Sequence, residues 1–268
     1  MYTDNARISH RQLFRQIIAG LLGVYFLAVP VLPEITGRQG VFCLLTGGGI
    51  YGFLSIYFIR IRNFFQDPEK YLGRLWGKLY ILFYTSWLWL MGVYLLLMTA
   101  RITGKFLIEG SDSWIVILLS AFAAYLGSHQ GLERRGRMAE VAFPVLLLIL
   151  GGMVVLAALQ VKPEYLEETG GLSFFGWIKG SWEILCVFLP FGFLPAALGS
   201  VKKPGDTGKV IWGAIGLITG LLILVLIILQ GSFGLGGYEH EEYPAARLMS
   251  GIRPVSYTHL RAHETRRH

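Results

Sequence analysis

Apolar residues run along this chain in seven long stretches, at about 13–33, 41–60, 79–100, 114–128, 140–160, 183–200 and 210–230, separated by short polar turns. A helix needs ~20 mostly apolar residues to cross a bilayer. The pattern therefore predicts seven spanning helices, the fourth short and reaching into an interface. Two stretches are interrupted. The first, Leu13 to Pro33, carries Gly20, Gly23, Pro30 and Pro33; the sixth, Ile184 to Gly199, carries Pro190, Gly192, Pro195 and Gly199. In lipid every backbone N–H and C=O needs a partner, so helix breakers survive where the freed groups face protein or a cavity. A pair of interrupted spans, one opening each half of a chain, points to a transporter-type site near the membrane midplane.

Small residues follow the same order. Span two opens Cys43-Leu-Leu-Thr-Gly-Gly-Gly-Ile-Tyr-Gly52, and span seven carries Gly213, Gly216 and Gly220. Such spacing lets helix backbones approach closely. Span one thus matches span six and span two matches span seven, the order of a five-plus-five inverted repeat.

Composition supports the membrane reading. The chain of 268 residues is 54% hydrophobic and 15% charged, with mean hydropathy +0.54, whereas ordinary globular chains are about 25% charged. Its net charge of +7 would suggest nucleic acid in a soluble protein, but the distribution says topology. Lys and Arg number 14 in the N-terminal arm and alternate loops, 6 in the other loops and 4 after Ile252. The richer side is normally cytoplasmic, which places the N-terminus inside and the end of span seven outside. The first span is long, follows Arg7, Arg11 and Arg15 and lacks a small-residue cleavage site, so no cleavable signal peptide is expected. Cys43 and Cys186 both fall in apolar spans, where lone packing is favoured over a disulfide.

The interruptions are the candidate binding site. Gly23, Val24 and Tyr25 in span one and Phe191, Gly192 and Phe193 in span six are expected around a ligand. Half-helices ending there would direct partial charges at a cavity, which suits the carboxylate and ammonium of a free amino acid. Among the aromatics of span three (Tyr80, Phe83, Tyr84, Trp87 and Trp89), most belong to packing and the interfacial belt. Tyr84 is kept as a site residue because a phenol can turn its hydroxyl toward a midplane cavity. Ionisable residues deep inside the spans are nearly absent, which weakens a proton-pump reading. His129, Glu133 and Glu140 lack a further ligand at metal-site spacing. With Arg134, Arg135 and Arg137 alongside, they read as a cytoplasmic loop meeting anionic lipid. Gly205-Asp-Thr-Gly-Lys209 lacks the full phosphate-loop pattern. No catalytic constellation, metal site or cofactor is expected.

Three stretches together resemble the spore-germination permease family, the integral-membrane B subunits of nutrient germinant receptors. They are Ile8-Ser-His-Arg-Gln-Leu-Phe14 leading to Gly23, Pro30 and Thr36-Gly-Arg-Gln-Gly40; Gly131-Leu-Glu-Arg-Arg-Gly-Arg-Met-Ala-Glu-Val-Ala-Phe-Pro144; and Phe188-Leu-Pro-Phe-Gly192 with Lys202-Lys-Pro204, Tyr243-Pro244 and Arg247. The resemblance covers about residues 8–252. It implies the amino acid–polyamine–organocation superfamily: an all-α polytopic membrane protein with the first seven helices of a ten-helix, leucine-transporter-like 5+5 inverted repeat, helices 1 and 6 being broken. The permease-like domain is 1–252. Residues 253–268, an abruptly polar and basic string, resemble translated sequencing-adapter read-through, and about three further helices are expected in the continuing frame. The family often places a second small residue after the glycine of the first break, where Val24 and Tyr25 stand here, so ligand identity does not carry over.

The resemblance implies a germinant-sensing subunit that binds a small nutrient, an amino acid first of all, and signals to other receptor subunits in the spore inner membrane. An amino-acid permease with alternating access and a membrane scaffold without ligand are the competing readings; an enzyme or a nucleic-acid partner is not expected. The charge asymmetry makes a direct prediction. In sealed right-side-out vesicles, a cysteine replacing Glu164 should react with an impermeant thiol reagent, and one replacing Arg135 should not. The reverse labelling would overturn the orientation.

Overall fold

Among the described residues, seven long helices account for the seven apolar stretches, and the first of them runs on where the sequence predicts a break. The computed structural model describes residues 8–28, 32, 34–108, 112–129, 131–167, 171–188, 192, 194–201, 205–239 and 243–251. Helix α1 spans His10–Ala28 and α2 Gly37–Arg60; a short α3, Arg62–Gln66, leads into α4, Pro68–Ile102, which continues as a π-helical turn over Thr103–Leu107. Then come α5 (Ser113–Ser128), α6 (Leu132–Ala158), the single turn α7 (Pro163–Leu166), α8 (Phe174–Phe188), α9 (Leu194–Leu198), α10 (Thr207–Glu239) and α11 (Pro244–Gly251). Among the described residues the one extended pairing is a parallel bridge between Ile8 and Val201.

Four segments are long and apolar enough to cross a membrane: Gly37–Arg60, Pro68–Leu107, Leu132–Ala158 and Thr207–Leu235. The protein is therefore an all-helical, multi-pass membrane protein. The first, fourth and sixth predicted spans fall short of that measure within the described residues, since α1, 19 residues long, carries Arg11, Gln12, Arg15 and Gln16 in its first half, α5 is 16 residues long and α8 is 15.

The first span corrects one expectation. α1 runs unbroken through Gly20 and Gly23 to Ala28, so no half-helix ends at Gly23–Tyr25. Glycine inside a helix costs only about 1 kcal/mol, whereas proline removes a donor and costs about 3. Pro30 and Pro33 lie outside the described residues, and helix is next described at Gly37. The sixth span is interrupted among its described residues: α8 ends at Phe188, Gly192 sits in a turn, and α9 begins at Leu194. Two long helices also bend at glycine. Gly73 in α4 and Gly234 in α10 hold φ of 79° and 68°, values that side-chain-bearing residues rarely adopt.

The core lies between α1, α2, α8 and α10. α10 buries Ile211, Ala214, Ile215, Ile218, Leu222, Val225 and Leu229, and α1 buries Leu13, Ile17, Ile18 and Leu21. Both are stripes at three- and four-residue spacing. The glycines of span seven lie on the other face: Gly213, Gly216 and Gly220 are exposed, and nothing stands within 4 Å of a Cβ built on Gly216 or Gly220.

The seam of closest approach instead joins α2 to α8. Gln39, Cys43 and Gly47 recur every fourth residue on α2 and meet Gly176, Gly180 and Ile184, spaced likewise on α8. A Cβ on Gly176 would stand 2.6 Å from Gln39, one on Gly180 2.7 Å from Cys43 Sγ, and one on Gly47 2.5 Å from Ile184 Cγ2. Polar contacts run along the same seam. Gln39 donates to the Glu34 carbonyl at 3.3 Å and accepts from Ser173 N–H at 3.0 Å, and Trp177 Nε1 donates to Thr46 Oγ1 at 3.0 Å. On its other side α2 meets α10, with Gly48 against Thr219 and Gly52 against Trp212. Cys43 is buried, Cys186 is exposed, and both are free thiols.

Glycine substitutions should therefore split by sign. Gly47→Ala drives a methyl into a β-branched neighbour, and overpacking of this kind costs about 1–3 kcal/mol. Gly216→Ala enters open space and gains up to about 1 kcal/mol of helix propensity. Thermal unfolding in detergent should show a lowered midpoint for the first and an unchanged or raised midpoint for the second. Shifts in the same direction would refute the seam.

Candidate functional site

The interruption of the sixth span leaves backbone carbonyls without helical donors, and side chains from distant elements supply them. Tyr84, half-buried on α4, donates its hydroxyl to the carbonyl of Gly192. Gln66, the last residue of α3, donates Nε2 to the Gly199 carbonyl at 2.7 Å. The N–H of Ile8 donates to the Ser200 carbonyl at 2.8 Å, and His10 Nε2 lies 3.4 Å from Thr207 Oγ1. The turn before α9 and the chain after it are thus tied to α4, α3 and the approach to α1.

Aromatic packing fixes the Tyr84 hydroxyl. Its ring stacks on Tyr80, centroids 6.0 Å apart and planes 8° off parallel, and lies 6.3 Å from Phe65. Tyr80 in turn meets Phe64 at 5.1 Å. A ring held on two sides has little rotamer freedom left, so its hydroxyl is aimed by packing before any ligand arrives. Tyr84 lies about 9 Å along the helix from Lys78, within the apolar part of α4.

The same device appears on α6. Pro144 lies inside that helix and cannot donate to the carbonyl of residue 140. Arg15 of α1 comes within 3.4 Å of the Glu140 carbonyl through Nη1 and within 4.0 Å of its carboxylate, with its guanidinium 5.7 Å from the Phe143 ring centroid. Glu133 pairs with Arg137 at 2.5 Å, and His129 stacks on Tyr125 at 5.5 Å, so His129, Glu133 and Glu140 have separate partners.

At the opposite end of the bundle Glu34 accepts an ion pair from Lys179 at 2.9 Å, with Glu183 3.8 Å from the same ammonium. This joins the chain after α1 to α8. The first and sixth spans are therefore tied together at both ends, by a charge pair on one side and by backbone on the other.

Of the residues expected around a ligand, the structure brings together Tyr84 and Gly192. Gly23 lies on an exposed face of α1 with nothing within 4 Å of a built Cβ. Val24 and Tyr25 belong to α1, but their side chains lie outside the described residues, as do Phe191 and Phe193 entirely. Gln66 and Ile8 are not among the expected residues. Ile8 stands within the first stretch of the family resemblance; nothing in the sequence marks Gln66.

Comparison with known proteins gives one family. The spore germination protein family matches residues 7–255. The chain is also similar to spore germination protein YndE of Bacillus subtilis (strain 168), 20% identical over 257 residues, an alignment that covers 93% of this chain and 71% of the relative.

The two side-chain ties should differ in strength. The Gln66–Gly199 bond is exposed, so water replaces it when it is lost. The Tyr84–Gly192 bond is partly buried, and a carbonyl left bare there costs about 1–3 kcal/mol. Tyr84→Phe should lower the thermal midpoint measurably, while Gln66→Ala should leave it nearly unchanged. Equal effects would show that the Gly192 carbonyl is open to water.

Proposed function

The chain belongs to the spore germination protein family, and on that premise we propose that it is a germinant-receptor membrane subunit that binds a small nutrient, an amino acid first of all. The observation that carries this reading is the Tyr84–Gly192 hydrogen bond, a single reversible tie between the third span and the interruption of the sixth. The Gly192 carbonyl and the C-terminal end of α8 at Phe188 present acceptors and partial negative charge, which suits an ammonium group. A ligand ammonium that donates to Gly192 takes the place of the Tyr84 hydroxyl and releases α4 from the interruption. Binding then biases one arrangement of the helices over another, and a ligand moves such an equilibrium only through its different affinity for the two. Val24 and Tyr25 from α1 and Phe191 and Phe193 beside Gly192 complete the proposed pocket, and Gly23, on an exposed face of α1, is left out of it. The partner subunits of the receptor read the released state. The location that follows is the spore inner membrane, with the N-terminus in the cytoplasm.

The exchange gives two variants opposite outcomes. Gly192→Leu puts a side chain where the ligand must approach the backbone, and should abolish the amino-acid-induced rise in melting temperature at normal membrane abundance. Tyr84→Phe removes the competing donor and should tighten amino-acid binding, by up to about tenfold for a bond worth 1.4 kcal/mol. Titrating a panel of free amino acids against protein in nanodiscs, followed by thermal shift, measures both. A normal shift in Gly192→Leu would remove the site from the sixth span. Counter-flow of radiolabelled amino acid in liposomes separates sensing from transport, since a permease with alternating access carries label across and a sensor does not.

A further inference from the structure

α6 carries a feature that the proposed nutrient site does not use. One face of its first half lines an open groove of about 840 Å³. Arg134, Arg137, Met138, Val141, Val145 and Leu146 line it, and their three- and four-residue spacing makes them one stripe along the helix. The charges sit at one end of the stripe, where α6 packs beside the start of α1 (Gln16 donates to the Leu132 carbonyl at 3.2 Å). From Met138 onward the stripe is apolar and open, with Val141 75% and Val145 56% exposed. Met138 touches α5 at Gly127, where a built Cβ would lie 3.5 Å from its Cε, and this closes one flank.

Length and charge point to one occupant. Arg134 to Leu146 rises about 18 Å along the helix, close to the ~15 Å that one leaflet contributes to the hydrocarbon core. A molecule filling the groove has an apolar tail as long as a single leaflet and a polar head level with two guanidinium groups. Arg137 is shared with Glu133, whereas Arg134 is exposed and makes no ion pair among the described residues. A protein helix laid on this stripe would have to bring its own acid to Arg134. A phospholipid brings a phosphate to that height simply by standing in the bilayer, and guanidinium binds phosphate in bidentate fashion. We propose that the groove holds one phospholipid with an anionic headgroup, its phosphate against Arg134 and Arg137 and one acyl chain along Met138, Val141, Val145 and Leu146. The site is distinct from the sixth-span interruption and stands whether or not that interruption binds a nutrient.

The test uses the full chain in phosphatidylcholine vesicles doped with spin-labelled phosphatidylglycerol or spin-labelled phosphatidylcholine, reading the motionally restricted fraction of each label. The unaltered protein should restrict phosphatidylglycerol several-fold more. The pair Arg134→Gln and Arg137→Gln should bring that preference down to the level of phosphatidylcholine, and Arg134→Lys with Arg137→Lys should keep most of it. Arg74→Gln with Lys78→Gln, which removes equal charge from the basic end of α4, should leave it intact. Val145→Trp fills the groove without touching charge and should lower restriction of phosphatidylglycerol, so the proposal stays testable even if the glutamine pair unfolds. Equal restriction of the two lipids by the unaltered protein would overturn it. So would equal loss in both charge-removing pairs, which would mean a general surface field rather than a site.

Discussion

A partly buried carbonyl oxygen left without a donor, as at Gly192, costs about 1–3 kcal/mol, and the chain on either side of α9 leaves the carbonyls of Gly192, Gly199 and Ser200 outside its helices. Their donors come from three places: a phenol on α4, an amide at the end of α3 and a backbone N–H just ahead of α1. Because each donor sits on a different element, meeting the requirement also sets where those elements stand. Pro144 imposes the same demand on α6, and Arg15 answers it from α1. Interruptions of this kind act as joints: the chain stays in the membrane only while its neighbours hold it, and the neighbours are positioned by holding it.

α2 supplies the rigid element against which those joints work. Its glycines open it on two sides, to α8 through Gly47 and to α10 through Gly48 and Gly52. Water provides no driving force between helices in lipid, so close backbone approach and the dispersion it gains must do the holding. The Glu34–Lys179 pair at the edge of the seam is partly exposed, and exposed pairs are worth about 0–1 kcal/mol. The packed glycines, and not the charges, keep α8 in register beside α2. The charge pair marks where the first and sixth spans meet.

Helix breakers in the sequence are an uneven guide to the breaks. The apolar stretches locate the long helices among the described residues, and Gly192 sits in a turn between α8 and α9, while Pro190 lies outside the described residues. Gly20 and Gly23 do not break α1, and the glycines of span seven face away from the core. The physical reason is that a missing Cβ only permits close approach and says nothing of which neighbour takes it up, and a missing N–H is tolerated where another donor meets the freed carbonyl, as Arg15 does for Glu140 in α6. Gly176 and Gly180, four apart on α8, form the seam, yet in sequence they stand before the predicted start of span six and read as loop. Tyr84 is singled out because a phenol can turn its hydroxyl toward a midplane cavity; that it meets the Gly192 carbonyl depends on how α4 passes the turn before α9. Gln66 carried no such signal, since a polar residue beside a loop is unremarked until the chain folds back on it.

The tie between the approach to α1 and the chain beyond α9 sets an order on assembly. His10 and Thr207, which meet at its edge, are 197 residues apart in sequence. At synthesis rates of about 5–20 residues per second, the first span waits about 10–40 s for that partner. Through that interval α1 sits in the membrane with a buried-to-be face, Leu13 through Leu22, and no α10 to cover it. α6 is made before α10 and packs on α1, with Gln16 donating to the Leu132 carbonyl at 3.2 Å. The N–H of Ile8 finds its carbonyl only when Ser200 has emerged, so the ties at this end of the bundle are among the last to form, and a nascent chain stalled before that point would hold a first span still able to tilt and slide.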